Sequence, residues 1–300
     1  MTIMKKIIFT IAFALSTVVA SAFTAQNDGV ITVKTNKAGR ALVEKWVEAY
    51  KAVRPNVQIQ IVSGKAKDAD LVLTNVQAEG TDVTFVGRYA LLPVTSSANP
   101  LKADIERKTW SAKDLKRLFF VDEEFDDDEI DGFKSKKEKL ADKLTVFTGS
   151  HSTSWTPALA AYFGRTKDDV KGNKVAGDDY YLLNAIEEEP ASVTFSSLTF
   201  LYDLNSRNIR SNISVLPLNV KKEQGEALNN LDATLDILEH HHFDAIPVEH
   251  IGFTYANLDT DIDQFLEWVL NDGQQYNHEQ GFLQLEERDV KQQIKLLANK

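Results

Sequence analysis

The side chains best suited to chemistry lie in two short polar loops, each set between a strand-like and a helix-like stretch. The first loop is Thr35-Asn36-Lys37-Ala38-Gly39. Before it, Ile31 and Val33 alternate with polar residues; after it, Leu42, Val43, Trp46, Val47 and Tyr50 recur at helical spacing. The apolar period changes from 2 to 3.6 across the loop, which reads as strand, loop, helix. Backbone N–H groups at a helix start lack intrahelical partners and carry about half a positive charge. Such a loop, at the end of a strand, is a cradle for an anion. The second loop, Thr148 to Ser154, is rich in hydroxyls; it follows an apolar strand, Leu144 to Phe147, and feeds a helix from Trp155 to Gly164. Residues of these types are also ordinary turn formers and helix caps, so both readings stand at this point.

Two metal patterns compete for attention. Asp127, Glu129, Asp131 and Gly132, with Glu138 at the twelfth position, match the spacing of a calcium loop, but Glu stands at its third position and no two clear helices flank it. His240-His241-His242, with Glu239, Asp244 and His250 nearby, has the imidazole density of a transition-metal site, or of an exposed helix end where histidine suits the dipole. Catalytic signatures are missing. There is no cysteine, no G-x-S-x-G elbow, no H-E-x-x-H and no phosphate-binding G-x-x-x-x-G-K-[ST] loop. The chain is therefore read as a non-enzyme without cofactor.

The elements that must position these loops alternate. Asn56 to Val62 reads as a second strand ending at Ser63-Gly64, Asp70 to Thr74 as a third, and Val83 to Val94 as a longer one. Ser111 with Asp114 forms a capping box ahead of Leu115, Leu118 and Phe119. Gly177-Asp178-Asp179 opens another helix. Ser192 to Leu201 and Ile213 to Leu218 are β-like, Leu228 to Leu238 is an amphipathic helix, and Ala245 to Tyr255 is β-like again. Helices close the chain, with Ile262, Phe265, Leu266, Val269 and Leu270 on one face. The four tryptophans all fall in helix-like stretches and are expected in cores.

Lys5 and Lys6, an apolar run from Ile7 to Ala20, and Ala20-Ser21-Ala22 form the pattern of a secretory signal peptide, residues 1–22. The run is shorter than the ~20 residues of a spanning helix, so no membrane span is expected after leader removal. The formal net charge is −10, and −12 once the leader's two lysines are gone. An acidic surface argues against nucleic acid and against anionic membranes as partners. It leaves room for a small anion held by amides, hydroxyls and a few cations. With hydrophobic residues at 43% and charged at 26% the chain has ordinary globular composition, and it must stand on its core alone because it has no disulfides.

In this order the motifs resemble a periplasmic substrate-binding protein of the phosphate-importing ABC type. Lys45-Trp46 with Tyr50, then Arg54-Pro55-Asn56-Val57, is similar to the family's first helix and next strand. Leu91 to Val94 and Asn99-Pro100-Leu101 resemble the crossing into the second lobe; Trp110-Ser111, Asp114-Leu115 and Leu118-Phe119 resemble the helix after it. Phe265, Trp268 to Leu270, Gly273-Gln274 and Gly281 to Leu285 resemble the closing helix and tail. The resemblance implies an α/β, two-lobed periplasmic binding protein fold, each lobe a mainly parallel sheet flanked by helices. Lobe one would be 28–95 plus 248–300, and lobe two 96–247.

It further implies a monomer in the periplasm that captures a phosphate-like oxyanion between its lobes and delivers it to the membrane component of an ABC importer. Carried over position by position, the ligand would be held by Thr35, Asn36 and Lys37, by Ser63 and Gly64, by Thr74, and by Ser152, Thr153 and Ser154. Thr148 stands where the family's anion-binding arginine would be, and Thr153 replaces a glycine. Arg88 and Lys37 are the cations that could substitute. Asn75 is nearest to the family's acidic acceptor. Two alternatives follow: a binding-protein fold that has lost ligand capture and serves as an extracytoplasmic interaction module, or a metal-binding protein using His240 to His242.

Overall fold

The computed structural model describes residues 29–62, 64, 68–75, 82–121, 136–150 and 155–299. The leader lies outside them, as does the calcium-loop pattern apart from the backbone of its last three residues. The strands are β1 (Val30–Lys34), β2 (Gln58–Val62), β3 (Leu71–Thr74), β4 (Asp82–Ser96), β5 (Thr145–Gly149), β6 (Asn173–Val175), β7 (Ser192–Ser197), β8 (Ile213–Val215) and β9 (Val248–Tyr255). The helices are α1 (Arg40–Val53), α2 (Lys102–Glu106), α3 (Ala112–Phe119), α4 (Lys136–Ala141), α5 (Thr156–Tyr162) and α6 (Asp179–Glu188). They continue with α7 (Leu198–Leu201), α8 (Lys222–Ala227), α9 (Leu231–His240), α10 (Thr260–Asn271) and α11 (Glu287–Leu297).

One continuous ladder of strands runs through the molecule in the order β2-β1-β3-β9-β4-β7-β5-β6, with β8 also on β4. Pairing is parallel at both outer ends, β2-β1-β3 and β6-β5-β7, as α/β units with crossover helices require. It is antiparallel through the middle, where β9 and β4 meet. β4 is the spine. Its residues Asp82 to Ala90 pair with β9, and Leu91 to Thr95 pair with β7. A bulge at Phe85–Gly87 bends the first of these ladders.

Local sequence explains most boundaries. α1 buries Leu42, Val43, Trp46, Val47 and Tyr50 on one face, as the 3.6 period requires. The capping box at Ser111 forms, with Asp114 accepting from the Ser111 backbone N at 2.8 Å. Two expectations shift. The stretch Leu228 to Leu238 is broken at Asn230, whose side chain accepts from Ala233 N and starts α9 afresh. The stretch Ser192 to Leu201 leaves the sheet at Ser197 and turns into α7. All four tryptophans are buried.

Trp46 is fully buried and donates through Nε1 to Gly273 O at 2.9 Å, fixing α1 to the segment after α10. Behind the sheet, Glu239 of α9 accepts from Gln284 N at 2.9 Å, and its carboxylate lies 2.7 Å from His278 Nε2. Arg207, at φ 61°, donates to the backbone carbonyls of His278 and Glu279. These bonds tie α9 and the Arg207 turn to the C-terminal tail.

Candidate functional site

Three segments of the β2-β1-β3 layer end at one cavity of about 370 Å³: the loop after β1 with Thr35, Asn36 and Lys37, then Gly64 after β2, and Thr74 closing β3. Parallel strands point their carboxyl ends the same way, which is why ligands of open α/β sheets sit there. The facing wall comes from the other half of the chain, with Gly177, Asp178, Asp179 and Phe200. A chamber of about 40 Å³ shares Asn36, Ala38, Asn75 and Asp179 with this cavity. Its inner wall is Tyr89, Trp155, Ile251 and Phe282. Asn75 Nδ2 lies 3.4 Å from the Tyr89 hydroxyl, and burial raises the phenol's pKa above its ordinary value.

The β1–α1 loop is held by its own side chains. Thr35 Oγ1 donates to Asn36 O at 3.0 Å, and Asn36 Oδ1 accepts from Gly39 N at 2.7 Å. Gly39 is the residue before α1, and no side chain caps that helix. A Cβ at Gly39 would stand 2.2 Å from Leu73 Cδ2, in a side chain that is itself buried. Gly39→Ala is therefore expected to destabilise the fold by about 1–3 kcal/mol through overpacking. Urea unfolding checks this, and a loss under about 0.5 kcal/mol would contradict the packing just described.

On the facing wall the chain turns at Gly177, whose φ of +113° favours glycine, and enters α6 through Asp178 and Asp179. Asp178 is the N-cap, accepting from Tyr180 N at 3.1 Å. Its carboxylate also lies 3.4 Å from Lys37 Nζ, so the pair bridges the cleft. The same ammonium sits 4.6 Å from the centre of the Tyr180 ring. Both partners are substantially exposed, and such a pair contributes little, about 0–1 kcal/mol.

Asp179 is different. It is 6% exposed, and its Oδ2 accepts from Ser196 Oγ at 2.9 Å, Ser197 N at 2.8 Å and Ser197 Oγ at 3.0 Å. Burial pushes its carboxyl up to about 6, against the pull of those three donors. A carboxyl group anchored through one oxygen and bordering both chambers offers an acceptor to a hydrogen-bond donor in the cleft.

Of the residues expected at the site, the structure brings Thr35, Asn36, Lys37, Gly64 and Thr74 to one cavity. Ser63, Ser152, Thr153 and Ser154 lie outside the described residues. Thr148 does not border either chamber; it is fully buried, and its Oγ1 accepts from Lys174 Nζ at 3.0 Å. Arg88 does not replace the missing arginine. Its Nε donates to Gln284 O at 2.8 Å, and Nη1 lies 3.4 Å from Glu286, on the C-terminal tail.

The histidine run ends α9 on the surface, with His240 Nδ1 2.7 Å from Asp236 O and His242 Nε2 3.2 Å from Asp244. Among the described residues no group of three or more His, Cys, Asp or Glu could hold a metal ion. Sequence reading passed over Asp179, Ser197 and Trp155 as site residues. The available signal was Gly177-Asp178-Asp179, a second polar helix start facing the first.

No protein-family profile matches the sequence, and no curated protein matches it. Solved structures do match in shape. One is a phosphate ABC transporter substrate-binding protein with bound phosphate from Clostridium perfringens, at TM-score 0.53 and 12% identity, covering 86% of this chain and 100% of that one. Another is an ABC-type phosphate transport receptor from Vibrio cholerae, at TM-score 0.54 and 14% identity, with coverage of 86% and 100%. At such identities the likeness speaks to the fold. The chain has the two-lobed α/β fold of the periplasmic substrate-binding proteins.

Proposed function

We propose that this chain is an exported solute-binding protein that captures a small phosphate-like oxyanion between its lobes and presents it to an ABC importer. Lobe one is 28–95 plus 248–300 and lobe two 96–247 in this reading; the pairing partner of β4 changes between Ala90 and Leu91, five residues before that bound. The carrying observation is convergence. Thr35, Asn36, Lys37, Gly64 and Thr74, from three segments spread over 40 residues, border one cavity. Ser63 and Ser152, Thr153 and Ser154 complete the proposed donor set. Residues 1–22 act as the signal peptide in this reading, and the periplasm retains the free monomer. Among the described residues no helix is long and apolar enough to cross a membrane. No catalytic step is proposed, in keeping with structural neighbours that are transport binding proteins.

Electrostatics shapes the second reading. No arginine borders either chamber among the described residues, and Asp178 and Asp179 do. That favours, as the alternative, an extracytoplasmic interaction module that no longer captures a solute. Thermal unfolding of the chain from Phe23 onward separates the two. After dialysis it is scanned with phosphate, sulfate, molybdate and tungstate, with zinc and calcium as controls. A ligand at a hundred times its Kd adds about 2.7 kcal/mol, a shift of several degrees. Thr35→Ala, which removes a hydroxyl that would have to turn from Asn36 O to donate to a charged ligand, is expected to lower affinity by about 1.5–3 kcal/mol. No shift with any oxyanion leaves the interaction module in front.

A further inference from the structure

From the size and lining of the cleft we infer that its ligand is an organic oxyanion, a phosphate or phosphonate on a short carbon chain, whose far end carries a hydroxyl or ammonium that donates to Asp179. The inference rests on the oxyanion reading and narrows it. Three observations carry it. The main cavity, about 370 Å³, falls within the roughly 300–1,000 Å³ typical of sites for organic ligands. A site of that size admits an organic ligand as well as an inorganic oxyanion.

The two ends of the cleft differ in chemistry. On the lobe-one side stand a hydroxyl, amides and lysines, with Thr35, Asn36, Lys34 and Lys37. On the lobe-two side stands Asp179, 94% buried, with Phe200 beside it and Tyr89, Trp155, Ile251 and Phe282 lining the inner chamber. In the larger cavity Val72, Leu73 and Phe200 give an apolar side that suits a carbon chain better than a hydrated inorganic ion. A buried carboxylate takes a donor and repels a bare anion.

The inner chamber adds the third observation. At about 40 Å³ it has room for one small polar group. Trp155, 3% exposed, borders it, and its Nε1 is buried with no hydrogen-bond partner among the described residues. Indole N–H groups normally find an acceptor when buried. A ligand hydroxyl in this chamber could donate to Asp179 and accept from Trp155; an ammonium could only donate.

The test is calorimetric titration of the chain from Phe23 onward, at pH 7.5, with four probes: inorganic phosphate, ethylphosphonate, 2-hydroxyethylphosphonate and 2-aminoethylphosphonate. At least one donor-bearing compound is expected to bind tenfold or more tightly than ethylphosphonate and phosphate. Which of the two binds better tells hydroxyl from ammonium. In Asp179→Asn, whose amide oxygen can still accept from Ser197 N, the advantage over ethylphosphonate is expected to fall to threefold or less. Phosphate or ethylphosphonate binding as tightly as both donor-bearing compounds overturns this inference and leaves the oxyanion reading standing. Binding of none of the four overturns this inference, and the oxyanion reading falls with it only if sulfate, molybdate and tungstate also give no shift. If Asp179→Asn fails to fold, the wild-type ranking alone decides.

Discussion

Asp179→Asn is expected to be more stable than the wild type at pH 8 and to lose that advantage at pH 4. The carboxyl of Asp179 sits at about 6 in the folded protein, against an ordinary value of 3.8, because burial outweighs its three hydrogen bonds. The folded chain thus holds this proton more tightly than the unfolded chain does. Its contribution to stability is greatest below pH 3.8 and is lost as pH rises through 6. A difference of about two units corresponds to roughly 3 kcal/mol at pH 8. Asparagine carries no charge and escapes that cost, less what its amide loses as an acceptor for Ser196 and Ser197. Urea unfolding of both proteins at pH 4 and pH 8 measures it. An equal difference at the two pH values would mean that Asp179 is not the buried, charge-bearing group described. A group that weakens the fold at neutral pH and faces a cavity fits a role in binding better than a role in packing.

Trp46→Ala is expected to cost about 3–5 kcal/mol, the range for emptying a large aromatic from a core. The indole is fully buried, lies 6.1 Å from the Phe253 ring, and bonds the Gly273 carbonyl. At Gly273 even a Cβ would meet the indole nitrogen at 3.3 Å, so the segment after α10 is fitted to this side chain. The loss should lower Tm by about 10 °C for a chain of this size. Trp46→Phe keeps most of the volume but leaves the carbonyl unpaired, and should cost about 1–3 kcal/mol. Because α1 begins at Arg40, directly after the Thr35 to Gly39 loop, a loosened helix should also weaken any oxyanion binding. Calorimetric unfolding of the three proteins checks the ranking. A Trp46→Ala protein within 1 kcal/mol of wild type would contradict the packing.

How much of this was legible in the sequence depended on range. The β1-loop-α1 unit could be read because its signals are local: alternation at Ile31 and Val33, then the buried stripe from Leu42 to Tyr50. The capping box at Ser111 is local too, its two ends three positions apart. β4 could be seen as β-rich, but not as the spine shared by both halves of the sheet, because its partners β7 and β9 lie about 100 and 165 residues along.

Asp179 shows the limit most clearly. In sequence it is one acidic residue at a helix start, a place where acidic residues are common. Its burial is created by Ser196 and Ser197, 17 and 18 residues later, and by the chamber wall at Tyr89, Trp155 and Phe282. Trp155 was legible as a core residue and is one; that it also borders the cleft depends on the same distant partners. Thr148 was carried over from a family position, yet its hydroxyl is bound between β5 and β6 to Lys174.

The central claim is that a solute binds between the lobes, and hydrogen–deuterium exchange tests it most directly. The chain from Phe23 onward would be labelled alone, with saturating inorganic phosphate, and with saturating 2-aminoethylphosphonate. The account predicts that ligand protects both walls together: amides around Thr35 to Gly39 and Thr74–Asn75 on one side, and Gly177 to Tyr180 with Ser197 to Phe200 on the other. Protection confined to one wall, or found only around His240 to His242, would contradict capture in the cleft.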